Sequence, residues 1–265
     1  MKILFIGDIV GKGGIFTVKN LLPELKKERG IDFVIAHCNG ATGGFGMGRN
    51  HAMYLHKLGI DCLTSGECVY YKKDIIPFIG KSFFLLKPAN LPTGTPGRGW
   101  SHFTVKGKKV AVVSMMGQNG YMKMHTNNPF TYIPDLVERV KQQTPLVIFN
   151  FNALTTAEKQ TMLHLMDGKL GAVIGSGARA LTADGRVTEK GTAFITDAGR
   201  TGSLLSVAGL NRDIEIRKHL TQIPERSSDA SEALELQGVL IELDDDTGKA
   251  VSLETLRVPC SKEME

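Results

Sequence analysis

The chain has 265 residues, 42% of them hydrophobic, and a formal net charge of +5. That length suits one large domain, residues 1–265, with its own core, and the apolar content is ordinary for a globular protein. The basic residues are scattered (Lys26, Lys27, Arg29; Lys72, Lys73; Lys106, Lys108, Lys109). This pattern reads as a solvated surface and speaks against a nucleic-acid partner. Cys38, Cys62, Cys68 and Cys260 show neither CxxC spacing nor disulfide density, which fits a reducing compartment. The first apolar run is too short for a signal peptide and no stretch reaches membrane-spanning length, so a cytoplasmic protein with no membrane partner is expected.

The chain opens on Lys2-Ile3-Leu4-Phe5-Ile6-Gly7-Asp8-Ile9-Val10-Gly11, a strand apolar on both faces and therefore buried. It ends on Asp8. A carboxylate at the C-terminal edge of a parallel strand sits where α/β sheets bind ligands, although an Asp there can equally cap the next helix. Gly11-Lys12-Gly13-Gly14 reads as a flexible turn whose N–H groups could face a phosphate, but it matches neither a P-loop nor a dinucleotide fingerprint. The spacing of Phe16, Val18, Leu21, Leu22 and Leu25 predicts a helix to about Arg29, kinked at Pro23 and stopped by Gly30.

Residues 32–37 form the second strand, which opens into the glycine-rich loop Cys38-Asn39-Gly40-Ala41-Thr42-Gly43-Gly44-Phe45-Gly46. A helix over 48–58, a strand over 61–65 ending at Gly66-Glu67-Cys68, and a short helix over 72–79 complete a β-α-β-α-β-α series. A strand at 83–86 and a loop dense in turn residues over 88–99 follow, then a hairpin of 101–105 with 110–116. A loose loop spans 122–129, and a helix 134–143. Residues 146–149 are a strand leading to Asn150-Phe151-Asn152, 156–166 a helix, and 171–175 a strand leading to Ser176-Gly177-Ala178-Arg179. Residues 192–196 follow as the next segment before Asp197. The polar run 225–233 is expected to be mobile, and two tail strands cover 236–243 and 250–258.

The strand ends now align: Asp8; Asn39-Gly40; Glu67-Cys68; Asn152; Gly177 with Arg179. This spacing resembles the calcineurin-like metallophosphoesterases, and more closely their bacterial YmdB-like branch of cyclic-nucleotide phosphodiesterases. The resemblance runs over nearly the whole chain. It is carried most specifically by residues 3–11, Pro88-Ala89-Asn90 with Gly94-Thr95-Pro96-Gly97, Thr182-Ala183-Asp184-Gly185-Arg186, and the run 190–197. It implies a four-layer α/β/β/α sandwich: two mixed sheets packed face to face and flanked by helices.

The same resemblance implies a two-metal centre held by Asp, Glu-Asn, Asn-His, His and His-x-His at these positions. Only Asp8 keeps its residue. Asn39 and Gly40 stand in for the Glu and Asn ligands, Glu67 for Asn, and Cys68 for the His expected to protonate the leaving group. Asn152 stands for a ligand His, and Gly177 and Arg179 for the His-x-His pair. Two cations about 4 Å apart need imidazole, carboxylate or thiolate donors. A glycine donates nothing from a side chain, and a permanent guanidinium repels metal ions.

The sequence therefore leads to a catalytically degenerate member, with no catalytic residue and no cofactor. It would act on an unidentified protein partner through interaction, scaffolding or regulation. Relatives of this branch commonly form homo-oligomers, which leaves that assembly open here. The loops 88–99 and 122–129, with Tyr121, Met122 and Met124, are the candidate contact surfaces.

Two alternatives stay open. One is a phosphodiesterase with a remodelled, mononuclear Mn, Fe or Zn site on Asp8, Glu67 and Cys68, with Cys38 as a further donor, acting on cyclic nucleotides or other phosphodiesters. The other is a module that binds a nucleotide or phosphate without cleaving it. Arg179 is expected to pair with Asp8, Glu67 or both, replacing the metals' charge. Alternatively Arg179 and Lys12 form a phosphate pocket with N–H groups of residues 11–14. His37, His51, His56, His102, His125, His164 and His219 form no metal-spaced pair and read as structural or exposed.

Overall fold

The computed structural model describes residues 1–121, 124–262 and 264. In chain order the first half contains β1 (Lys2–Ile6), β2 (Asp8–Ile9), α1 (Gly11–Arg29), β3 (Phe33–His37), α2 (Arg49–Lys57), β4 (Cys62–Thr64), α3 (Ile76–Ile79) and β5 (Leu85–Leu86). The second half contains β6 (Trp100–Val105), β7 (Lys108–Met116), α4 (Pro129–Lys141), β8 (Val147–Asn152), α5 (Thr156–Met166), β9 (Ala172–Ser176), β10 (Arg186–Val187) and β11 (Ala193–Ile195). The tail adds β12 (Arg200–Ser203), α6 (Arg212–Thr221), β13 (Leu234–Leu243) and β14 (Ala250–Pro259).

Two mixed sheets result. The first has the order β2-β12-β13-β1-β3-β4-β5, with β14 also on β13; the second has the order β10-β11-β9-β8-β7-β6. Strand faces decide the layering, because alternate side chains point to opposite sides of a sheet. Ile3 and Phe5 of β1 meet Val110 and Val112 of β7, Ile148 of β8 and Ile174 of β9 between the sheets. Leu4 and Ile6 point the other way, onto Val18 and Leu22 of α1 and Leu55 of α2. On the far side Val113, Phe149 and Val173 pack against Leu136 and Val140 of α4 and Met162 and Met166 of α5. This is the expected four-layer sandwich. It also explains why the central strands read as unbroken apolar runs: both of their faces are covered.

Several local expectations are corrected. Residues 11–14 are not a flexible turn but the first turn of α1, which runs through Pro23 to its left-handed stop at Gly30. Phe16 and Leu21 are only half-buried there, whereas Ile15 and Thr17 join the buried face. The helix expected from 134 starts at Pro129, capped by the Asn128 side chain, because proline is well tolerated in a first helical turn. Residues 225–233 are pinned: Asn211 N–H donates to Ser228, Ala230 N–H to Gly209, and Lys12 N–H to the Asp229 carboxylate. Among the described residues no helix is long and apolar enough to cross a membrane.

Candidate active site

The strand-end residues converge at one edge where the two sheets meet. Asp8 is 2% exposed. Its Oδ1 accepts from Gly40 N–H at 3.0 Å and its Oδ2 from Arg179 Nε at 2.6 Å. Arg179 Nη1 donates to the Ala208 carbonyl and Nη2 to the Gly44 carbonyl. The guanidinium is thus fixed by three separate segments. Gly40 makes room for it, since a Cβ on that residue would lie 2.5 Å from Arg179 Nη2. Arg179 itself takes a left-handed backbone, φ 56°, a conformation a non-glycine residue keeps only when its surroundings enforce it.

A second cluster lies beside the first. Asn152 is fully buried, and its Nδ2 donates to Glu67 Oε2 at 3.0 Å and to the Tyr121 hydroxyl at 2.9 Å. Glu67 Oε1 accepts from the Cys68 thiol at 3.7 Å. Burial first, then the charge of Glu67, pushes the Cys68 thiol up to about 12. Burial likewise pushes the Tyr121 phenol up, helped by Glu67 and Glu158. Asn39 Oδ1 accepts from the N–H groups of Gly66 and Cys68, so it ties one loop to the next. Gly177 has φ 112°, and a side chain there would run into the Ala153 carbonyl and Asn152.

The sequence-derived positions do come together, with corrections. Arg179 pairs with Asp8; Glu67 turns to Asn152 and Cys68 instead. The pocket in which Lys12 and the N–H groups of 11–14 would face a phosphate is not formed as expected, because Asp229 takes the Lys12 N–H and the Lys12 side chain is exposed. Tyr121, expected on a contact surface, aims its hydroxyl into the site. Met124 packs on the core of the first sheet, and Met122 lies outside the described residues. His37 is fully buried, with Nδ1 against Thr64 Oγ1, and burial lowers its pKa.

The fold calls for a test against a metal centre. Among the described residues no three His, Cys, Asp or Glu side chains group as a metal cage. Asp8 is committed to a cation and an N–H, Asn39 to two N–H groups, and Glu67 to the Asn152 amide. The donor set as arranged does not fit a dinuclear centre, nor a mononuclear one on Asp8, Glu67 and Cys68.

Fold and site together are a four-layer α/β/β/α sandwich with a polar cluster at its strand ends. The YmdB-like protein family matches residues 4–256, and the chain belongs to that family. It is 36% identical over 260 residues to the 2′,3′-cyclic-nucleotide 2′-phosphodiesterase of Bacillus subtilis, covering 97% of each chain. Among solved structures, a novel phosphatase of Mycoplasma pneumoniae superposes with a TM-score of 0.92 at 30% identity, covering 98% of this chain and 93% of that one. A hypothetical protein from Thermus thermophilus superposes with a TM-score of 0.90 at 27% identity, covering 98% and 99%. These relatives overturn the expectation of a degenerate protein acting only through partners: they favour the phosphodiesterase alternative. Physically, the strand-end positions do not leave an empty site. Its residues still converge and are bonded to one another.

Residues that sequence reasoning missed as site components are Gly44 and Ala208, which lend carbonyls, and the buried pair Lys159–Asp197 beneath the site. Lys159 carried a signal. With Met162, Leu163 and Met166 it follows the i, i+3, i+4, i+7 spacing of a buried helix face, and a lysine there needs a partner. The backbone carbonyls carried none.

Proposed function

We propose that this protein is a phosphodiesterase with a remodelled site, acting on cyclic nucleotides or other phosphodiesters. The observation that carries this reading is Arg179, fixed at the strand ends by Asp8, Gly44 and Ala208. Guanidinium has five N–H donors; these three contacts leave two to receive the non-bridging oxygens of a phosphodiester. A planar fork suits that geometry better than an ammonium.

In this reading Glu67 holds the attacking water. It is half-buried, and Asn152 fixes its Oε2. Its Oε1 can take the water's proton as the new P–O bond forms and the ester P–O bond breaks, and the same proton then passes to the departing ester oxygen, which leaves as the hydroxyl. Cys68 is not the nucleophile, because its thiol stays protonated and only a thiolate attacks. Asp8 holds the guanidinium in place. In this reading the guanidinium supplies the positive charge at this edge, and no step passes through a metal.

The test is hydrolysis of a 2′,3′-cyclic nucleotide and of bis(p-nitrophenyl) phosphate by the full chain, with and without chelator and with Mn, Fe or Zn added singly. Turnover that falls in Arg179→Met supports the reading. Absence of turnover under every condition ends it.

A further inference from the structure

Beneath the site lies a buried ion pair that none of the roles above uses. Lys159 on α5 is 1% exposed and Asp197, between β11 and β12, is fully buried; Nζ lies 2.8 Å from Oδ2. Buried ion pairs are poor stabilisers, because desolvating both charges offsets their attraction. Their better-attested use is to fix one geometry among several.

The remaining contacts of Asp197 say which geometry. Its Oδ2 also accepts from Ala178 N–H at 2.8 Å, the residue just before Arg179. Its Oδ1 accepts from Gly199 N–H at 3.0 Å. Gly199 in turn offers its carbonyl to Asp8 N–H at 2.9 Å. One carboxylate therefore holds the backbone next to both members of the Asp8–Arg179 pair, although those two residues are 171 apart in the chain. Thr182 Oγ1 closes the turn by accepting from Asp197 N–H. The left-handed backbone of Arg179 needs such an anchor.

We propose that Lys159 and Asp197 are a positioning pair: Asp197 aligns Asp8 and Arg179 through their neighbouring peptides, and Lys159 holds the Asp197 carboxylate in place. The catalytic consequence rests on the phosphodiesterase reading; the geometric claim does not.

The experiment uses the full chain labelled with ¹⁵N and follows the Arg179 Nε–H resonance, assigned by its loss in Arg179→Met. In Asp197→Asn that signal should lose its protection from exchange while the protein stays folded. Turnover of the cyclic nucleotide should fall about 100-fold in kcat, the scale of a misplaced reacting group, with a smaller change in KM. If Asp197→Asn does not fold, the double variant Lys159→Met/Asp197→Asn, with neither group charged, is measured in its place with the same expectations. A folded variant with the signal still protected and kcat unchanged overturns the proposal. If the wild type shows no turnover, the phosphodiesterase reading fails and the Nε–H signal alone decides the positioning role.

Discussion

At the scale of single residues, the Arg179 guanidinium balances the carboxylate of Asp8 at a distance of 2.6 Å. Both side chains are shielded from water, so removing one partner strands the other. We predict that Arg179→Met destabilises the fold by about 3–5 kcal/mol, read from urea unfolding. Adding Asp8→Asn should restore most of the loss, because no buried charge then lacks a partner. An unchanged urea midpoint in the single variant would mean that Asp8 is solvated in solution. Gly40→Ala should act through the same contact: its methyl enters the space of Arg179 Nη2 and should cost about 1–3 kcal/mol as overpacking.

The cysteines set a pH dependence. Burial raises the thiol pKa values of Cys38, Cys62 and Cys68, the last to about 12 from 9.0. Above pH 9 the unfolded chain releases protons that the native chain retains. The stability these thiols contribute is therefore complete below that pH and lost as pH climbs toward 12. Urea midpoints on either side of pH 9 should show the fall, and Cys68→Ser should reduce it.

At the scale of elements, α1 begins at Gly11 with no side-chain N-cap of its own. The Asp229 carboxylate, from far along the chain, accepts the Lys12 N–H instead and places negative charge at the positive end of the helix. Asp229→Ala should cost about 1 kcal/mol, a loss that salt reduces. A cost that salt leaves untouched would point to packing instead. This cap was invisible in the sequence, where residues 225–233 look merely polar, because its partner lies more than two hundred residues upstream. The long apolar strands and the helices with regular spacing were legible. α6 was not: Glu215 is its buried residue, while Ile216 and Leu220 are exposed, so it has no apolar face to announce it. β2 and β10, two residues each, are too short to leave a pattern.

At the scale of the whole molecule, two sheets bring five strand ends to one edge, and a polar cluster forms where the ends meet. The positions of that cluster were legible from their spacing and family likeness. Which side chains would pair was not, because the choice between Asp8 and Glu67 for Arg179 depends on loop geometry contributed by Gly40, Gly44 and Ala208. The inference from missing donors to missing activity also failed, since relatives spanning the same fold are named as a phosphodiesterase and a phosphatase. What distinguishes this edge is a guanidinium at the centre of a cluster whose carboxylates are already bonded. The most direct measurement is cyclic-nucleotide turnover by chelator-treated protein, with the metal content of the same sample determined by elemental analysis. We predict turnover that persists with less than one ion per chain and falls at least tenfold in Arg179→Met. Turnover that disappears with chelator and returns in proportion to two bound ions per chain would contradict it.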